Sequence, residues 1–141
     1  MLTRRRLLQL SGGVAALGLG GGAAYGSLVE LHDLRLVRRP LPVENLPDAW
    51  VGRTIVQLTD VHVGPHVADD YVLRTFDAVA RLAPDVLVVT GDLTSDERGI
   101  VEHAQRIYAH LPAGRLATLA ILGNHDYGRD WKDLAHADAL V

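Results

Sequence analysis

Leu116-Ala117-Thr118-Leu119-Ala120-Ile121-Leu122 runs straight into Gly123-Asn124-His125-Asp126. An aliphatic run of that length, stopped sharply by glycine, reads as a buried strand that delivers the chain into a tight loop. The loop sets an amide, an imidazole and a carboxylate in direct succession at the strand's carboxyl end, where open α/β sheets carry their chemistry. A plain polar turn has the same local composition, because Gly and Asn both tolerate left-handed backbone angles. The rest of the chain decides between the two.

Working back, Thr54-Ile55-Val56-Gln57-Leu58 is a short β-branched strand that leads into Thr59-Asp60-Val61-His62-Val63-Gly64-Pro65. Residues 69–82 follow with Val72, Phe76, Val79, Ala80 and Ala83 at amphipathic helical spacing, and Pro84 ends the helix. Asp85 opens a second unit. Its strand, Val86-Leu87-Val88-Val89, is unbroken in the manner of a central strand covered on both faces, and it ends in Thr90-Gly91-Asp92. The next helix aligns Ile100 or Val101 with Ala104, Ile107, Tyr108 and Leu111, and Pro112 and Gly114 stop it. A last helical stretch over residues 130–141 is expected to bury Trp131 and Leu134.

Strand, polar loop and helix therefore recur three times, which specifies an α/β fold: a mainly parallel sheet built from βα units. Asp60 and Asp92 lie 32 residues apart, as do Asp92 and Asn124, although the units share no residue-level similarity. All three polar loops should lie at one edge of the sheet. That convergence favours a site over a turn.

In an extended segment residues i and i+2 point the same way, so Asp60 and His62 are placed to reach one ion together. Carboxylate oxygen and imidazole nitrogen suit Mn, Fe or Zn better than Ca. Asp92 follows a glycine that allows close backbone approach, and its two oxygens can bridge two ions. Asn124 adds a neutral oxygen for the second. Two divalent ions about 3.5–4 Å apart can clamp a phosphoryl group and acidify a water. His125, beside a ligand without being one, is placed to donate a proton to the leaving oxygen. Asp126 is placed to fix that imidazole's tautomer.

Asp-x-His, then Gly-Asp, then Gly-Asn-His-Asp, each after a strand, resembles the calcineurin-like metallophosphoesterase family, from about Arg53 to Val141. The resemblance implies the amino-terminal half of a four-layer α/β/β/α sandwich, with residues 53–141 as a truncated phosphoesterase domain. By position it implies that Asp60 and His62 hold a first metal, that Asp92 bridges, that Asn124 holds a second, and that His125 is the general acid. His66, four residues beyond His62, is a candidate contact for substrate phosphate. Family members complete the site with a further His and a late Gly-His-x-His segment, which this sequence lacks. His32, His103, His110 and His136 are poor substitutes; the last three read as solvated helix faces.

Residues 1–26 read as targeting sequence and not as fold: Thr3-Arg4-Arg5-Arg6-Leu7-Leu8-Gln9 precedes an uncharged Gly- and Ala-rich stretch to Gly26. The paired arginines followed by Leu-Leu resemble a twin-arginine export signal, and an ordinary signal peptide or membrane anchor is the alternative. Together with Leu58-Thr59-Asp60-Val61-His62-Val63-Gly64-Pro65, this layout looks most like a membrane-associated bacterial branch of the family. That branch implies a phosphorylated small molecule or lipid-linked substrate, such as the envelope precursor UDP-diacylglucosamine, an encounter with export machinery, and a place across or on the cytoplasmic membrane. Residues 27–52 form a lead-in, with a possible edge strand at Leu34-Arg35-Leu36-Val37 before Pro40 and Pro42.

Composition narrows the classes further. In 141 residues, 48% apolar and 22% charged, there is material for one packed domain. The net charge of −3 comes without a basic stripe beyond the first forty residues, which argues against nucleic acid as a partner. The absence of cysteine removes disulfides and thiolate metal sites. Two readings from different classes follow: a metal-dependent phosphoesterase, and an exported, non-catalytic module that keeps a weak metal or phosphate site. A nucleotide-binding α/β domain is disfavoured, because no G-x-G-x-x-G or P-loop is present.

Overall fold

Three aliphatic runs lie side by side in a computed structural model that describes residues 33–95 and 99–140. Strands β1 (Ile55–Leu58), β2 (Val86–Thr90) and β3 (Ala117–Ile121) form a parallel sheet in the order β1-β2-β3. Helix α1 (Asp69–Leu82) links β1 to β2, and α2 (Val101–Tyr108) links β2 to β3. This is the βα architecture expected from the alternating pattern. Parallel neighbours require a crossover, and each amphipathic helix supplies one.

Register sets which residues share a face. Ile55 pairs with Val86 and Val86 with Ala117, so Val56, Leu87 and Thr118 fall on the opposite side, with Leu58, Val89 and Ala120 one step on. That second side carries the core. Val79 of α1 packs with Leu87, Val89 and Leu93, and Val56, Leu58, Tyr108 and Leu111 close around them. A contiguous cluster joins Val63, Val72, Phe76, Ala104 and Ile107 between the two helices. Asp69 and Asp70 occupy the first turn of α1, where negative charge suits the helix dipole, and Ala83 ends the helix in the left-handed conformation before Pro84.

The other face of the sheet is open. Ile55 is 54% exposed, Leu119 56% and Ile121 62%. β3 was expected to be buried like β2, but it is the sheet's edge and is exposed almost throughout. The reason is positional: its aliphatic composition matches that of β2, and among the described residues only β2 flanks it.

At the amino edge, buried Asp85 gathers the starts of the strands. Its carboxylate accepts from Thr54 N at 2.9 Å, Arg53 Nη1 at 3.0 Å and Arg115 Nη2 at 2.9 Å. The Thr54 backbone N–H lowers its pKa, burial opposes that, and the guanidiniums of Arg115 and Arg53 lower it further; the net result lies far below the usual carboxylate range.

Two expectations fail outside the sheet. Residues 34–37 form no strand, and Leu36 and Val37 are 58% and 67% exposed, with no pairing partner among the described residues. The final helix, α3, is only Leu134–Asp138, because Asp133 caps it by accepting from His136 N at 3.0 Å. Trp131 and Leu134 are consequently 60% and 67% exposed, and Ala137 is the buried residue of that helix. The chain divides after Val37; of the part before, only residues 33–37 are described. The expected targeting segment, residues 1–26, and His32 lie outside the described residues. No helix of the described residues is long and apolar enough to cross a membrane.

Candidate metal centre

The loops after β1 and β2 continue the pairing of the strands in a looser form. Asp60 N donates to Gly91 O at 3.3 Å, His62 N to Asp92 O at 3.0 Å and Val63 N to Leu93 O at 3.0 Å. An isolated parallel bridge between Val63 and Thr94 closes the run. Backbone strain concentrates here: Asp60, His62 and Asp92 have φ of 52°, 48° and 48°, in the left-handed region that non-glycine residues seldom occupy. The expected extended geometry of Asp60 and His62 is therefore corrected. Left-handed residues at both positions turn the loop while its N–H groups stay bonded to the neighbouring loop.

Two glycines bring the third loop against the second. Gly91 has φ of 82°, and a Cβ there would lie 2.8 Å from Gly123 Cα. Any side chain at either position would push the loops apart. The requirement is thus both conformational and steric.

This packing assembles a cluster. His62 Nε2 lies 3.7 Å from Asp92 Oδ2. The rings of His62 and His125 meet edge to face with centroids 4.8 Å apart. One ligand atom from each of His62, Asp92 and His125 falls within 4.8 Å of the others. His125 N donates to Asp92 Oδ1 at 3.1 Å, which fixes the start of the third loop on the carboxylate of the second. His125 Nδ1 is buried and has no hydrogen-bond partner. An orphaned imidazole nitrogen beside a second imidazole and a carboxylate is a donor set that fits a borderline divalent ion.

The remaining predicted residues sort differently. Asp60 is exposed, its carboxylate accepts from the Thr59 hydroxyl, and it is outside the three-residue group. Asn124 is exposed and sits at the N-cap of the short turn His125–Tyr127, immediately beside the group. His66 is exposed in the β1 loop and is also outside the group.

Asp126 departs most from expectation. It is fully buried, and its oxygens accept from Leu93 N at 3.0 Å, Thr94 N at 2.9 Å, Thr94 Oγ1 at 3.2 Å and Gly123 N at 2.8 Å. These donors occupy the carboxylate, so the His125 ring does not receive it as the sequence suggested. Tyr108 donates to Leu93 O at 3.1 Å; burial, and then the Asp126 charge, push its phenol well above the usual range.

Sequence reasoning missed Thr94 and the structural part of Gly123. Thr94 is fully buried and lies two residues past Asp92, but nothing in its spacing announces a bond to residue 126. His103, read as a solvated face, instead bonds Asp69 Oδ1 at 2.9 Å and ties α2 to the first turn of α1.

Comparison with known proteins points to one family. The calcineurin-like phosphoesterase family model matches residues 53–139. A transmembrane protein with metallophosphoesterase domain from Danio rerio is 33% identical over 119 residues, covering 82% of this chain and 27% of the relative. The uncharacterized metallophosphoesterase YkuE of Bacillus subtilis is 28% identical over 135 residues, covering 90% of this chain and 46% of the relative. The UDP-2,3-diacylglucosamine pyrophosphatase LpxG of Chlamydia trachomatis is 35% identical over 91 residues, covering 59% of this chain and 26% of the relative. The chain thus spans less than half the length of these relatives. No solved structure matches.

Proposed function

Because the chain belongs to the calcineurin-like phosphoesterase family, we propose that it contributes the catalytic edge of a metal-dependent hydrolase of phosphoester or phosphoanhydride bonds. The observation that carries the reading is the convergence of His62, Asp92 and His125 within 4.8 Å, with a buried, unpartnered His125 nitrogen among them. His62 and Asp92 would hold a divalent ion, Mn, Fe or Zn by donor type. Asp60 and Asn124, in the same loops, carry the further oxygen donors that a two-ion site requires. Such ions supply neutralisation of phosphate charge and acidification of a water.

The chain's own residues do the rest. Water attacks phosphorus, the bond to the leaving oxygen breaks, and protonated His125 delivers its proton to that oxygen. The N–H of His125 bonded to Asp92 Oδ1 keeps acid and ligand in fixed relation during this step. The substrate class we favour is a lipid-linked or nucleotide-linked phosphoanhydride at the membrane. The likeness to LpxG, whose name specifies UDP-2,3-diacylglucosamine, and to a relative named as transmembrane supports that choice.

The experiment is hydrolysis of bis-p-nitrophenyl phosphate, p-nitrophenyl phosphate and UDP-2,3-diacylglucosamine by the full chain, with Mn²⁺ and with a chelator. Turnover that needs Mn²⁺ and favours the nucleotide-linked lipid is expected. Hydrolysis indifferent to the chelator would overturn the metal reading. Preference for a soluble monoester would overturn the substrate class alone.

A further inference from the structure

Among the described residues Asp126 is the one buried acid at the sheet's catalytic edge, and the proposed chemistry gives it no part. Its relative exposure is zero, the same as that of Thr94 beside it. Four donors converge on it: two backbone N–H groups and one hydroxyl from Leu93 and Thr94 after β2, and one backbone N–H from Gly123 after β3. A carboxylate has acceptor sites for all four and no proton to bring into conflict with them. An amide in its place would turn two N–H donors toward N–H donors. Removing one partner from such a buried set costs more than the average hydrogen bond stabilises, because the orphaned groups have no water.

What the clasp joins decides its importance. Leu93 and Thr94 directly follow Asp92, while Gly123 directly precedes Asn124 and His125. His125 N donates to Asp92 Oδ1 across the gap that Asp126 closes. The Gly91–Gly123 approach leaves no slack, so any widening of the clasp separates Asp92 from His125.

We propose that Asp126 is a positioning residue: a buried clasp that holds the β2 and β3 loops at the spacing that sets the ligand Asp92 beside the acid His125. This rests on the metal reading above and adds to it the residue that sets the centre's width. Asp85 offers an internal control. It is a buried carboxylate that ties strand starts at the opposite edge of the same sheet, and its partners Arg53, Thr54 and Arg115 are not proposed ligands.

The test compares wild type, Asp126→Asn and Asp85→Asn in the full chain. Three quantities are read: Tm, Co²⁺ affinity by visible absorption, and the metal-free NMR signals of the His62 and His125 rings. Asp126→Asn should lose at least about tenfold in Co²⁺ affinity, the scale seen for outer-shell partners, and should move both ring signals. Asp85→Asn should lower Tm while leaving affinity and ring signals in place. Unchanged affinity in Asp126→Asn, or an equal loss in Asp85→Asn, would overturn the proposal. Should Asp126→Asn fail to fold, Thr94→Val removes one donor of the four; a smaller loss of affinity supports the clasp and no loss overturns it. A wild type that binds no Co²⁺ would sink the metal reading, and the ring signals would then decide the positioning role alone.

Discussion

A Cβ on Gly123 would lie 2.1 Å from Asp92 Oδ1 and 2.3 Å from the Asp92 backbone nitrogen. The loop after β3 therefore passes against both the backbone and the carboxylate of the proposed bridging ligand. Gly123→Ala must displace one loop or the other, at a cost of about 1–3 kcal/mol, the usual range for overpacking. Metal affinity should fall with it, by at least about tenfold. A metal titration of the variant beside a thermal melt checks both, and unchanged affinity would mean the loops have room that the structure denies them.

His125→Ala separates acid from ligand. As a general acid, His125 contributes about 10²–10⁴-fold to turnover, and most where the leaving group is poor. The variant should retain metal within about threefold while hydrolysis of alkyl phosphates slows more than that of nitrophenyl esters. Loss of the metal together with activity would reassign His125, whose ring lies 4.8 Å from that of His62, to the ligand set.

The parallel βα units, the crossover helices and the convergence of three loops were legible, because periodicity and glycine breaks are local properties of sequence. The environment of each strand was not. Leu116–Leu122 and Val86–Val89 read alike, yet Leu119 is 56% exposed and Leu87 fully buried, since burial depends on which face is covered and which strand has two neighbours. The site shows the same division. His62, Asp92 and His125 were nominated from motif and spacing, and the structure brings them together. The partners of Asp126 were invisible, because Thr94 lies 32 residues away and only the fold makes them neighbours. The left-handed backbone at Asp60 and His62 was missed as well. Nothing local marks it, and it follows from hydrogen bonds to the adjoining loop.

Asp85 makes stability depend on acid in a definite direction. Its pKa in the folded chain is held far below the unfolded value, first by the Thr54 N–H and then by Arg115 and Arg53. Its contribution is therefore fully present above the unfolded carboxylate pKa of about 3.9 and is lost as pH falls toward the folded value. Asp85→Asn should lower Tm at pH 7, and its gap from wild type should narrow as pH drops below about 4. A gap that stays constant down to the lowest accessible pH would contradict the assignment.

The open sheet face should govern solution behaviour. Leu119 and Ile121 project from the edge strand, 56% and 62% exposed, and Ile55 shares that face at 54%. Exposed apolar patches of this kind drive association. Leu119→Thr with Ile121→Thr should reduce self-association of residues 27–141 and lower dye binding, while changing stability by less than about 1 kcal/mol, as surface substitutions do. Light scattering and a thermal melt read the two effects. A sharp monomeric melt of the unsubstituted chain would show that the face is not a liability.

The central claim is that Asp92, with His62, holds a catalytic ion beside the acid His125. Its most direct test is a Mn²⁺ titration of wild type and Asp92→Asn in the full chain, with bis-p-nitrophenyl phosphate hydrolysis followed in the same samples. Saturable binding in wild type, a loss of more than about 100-fold in affinity in Asp92→Asn, and hydrolysis that falls in step are the expected results. Equal Mn²⁺ binding by the two proteins, or hydrolysis that survives Asp92→Asn, would contradict the account.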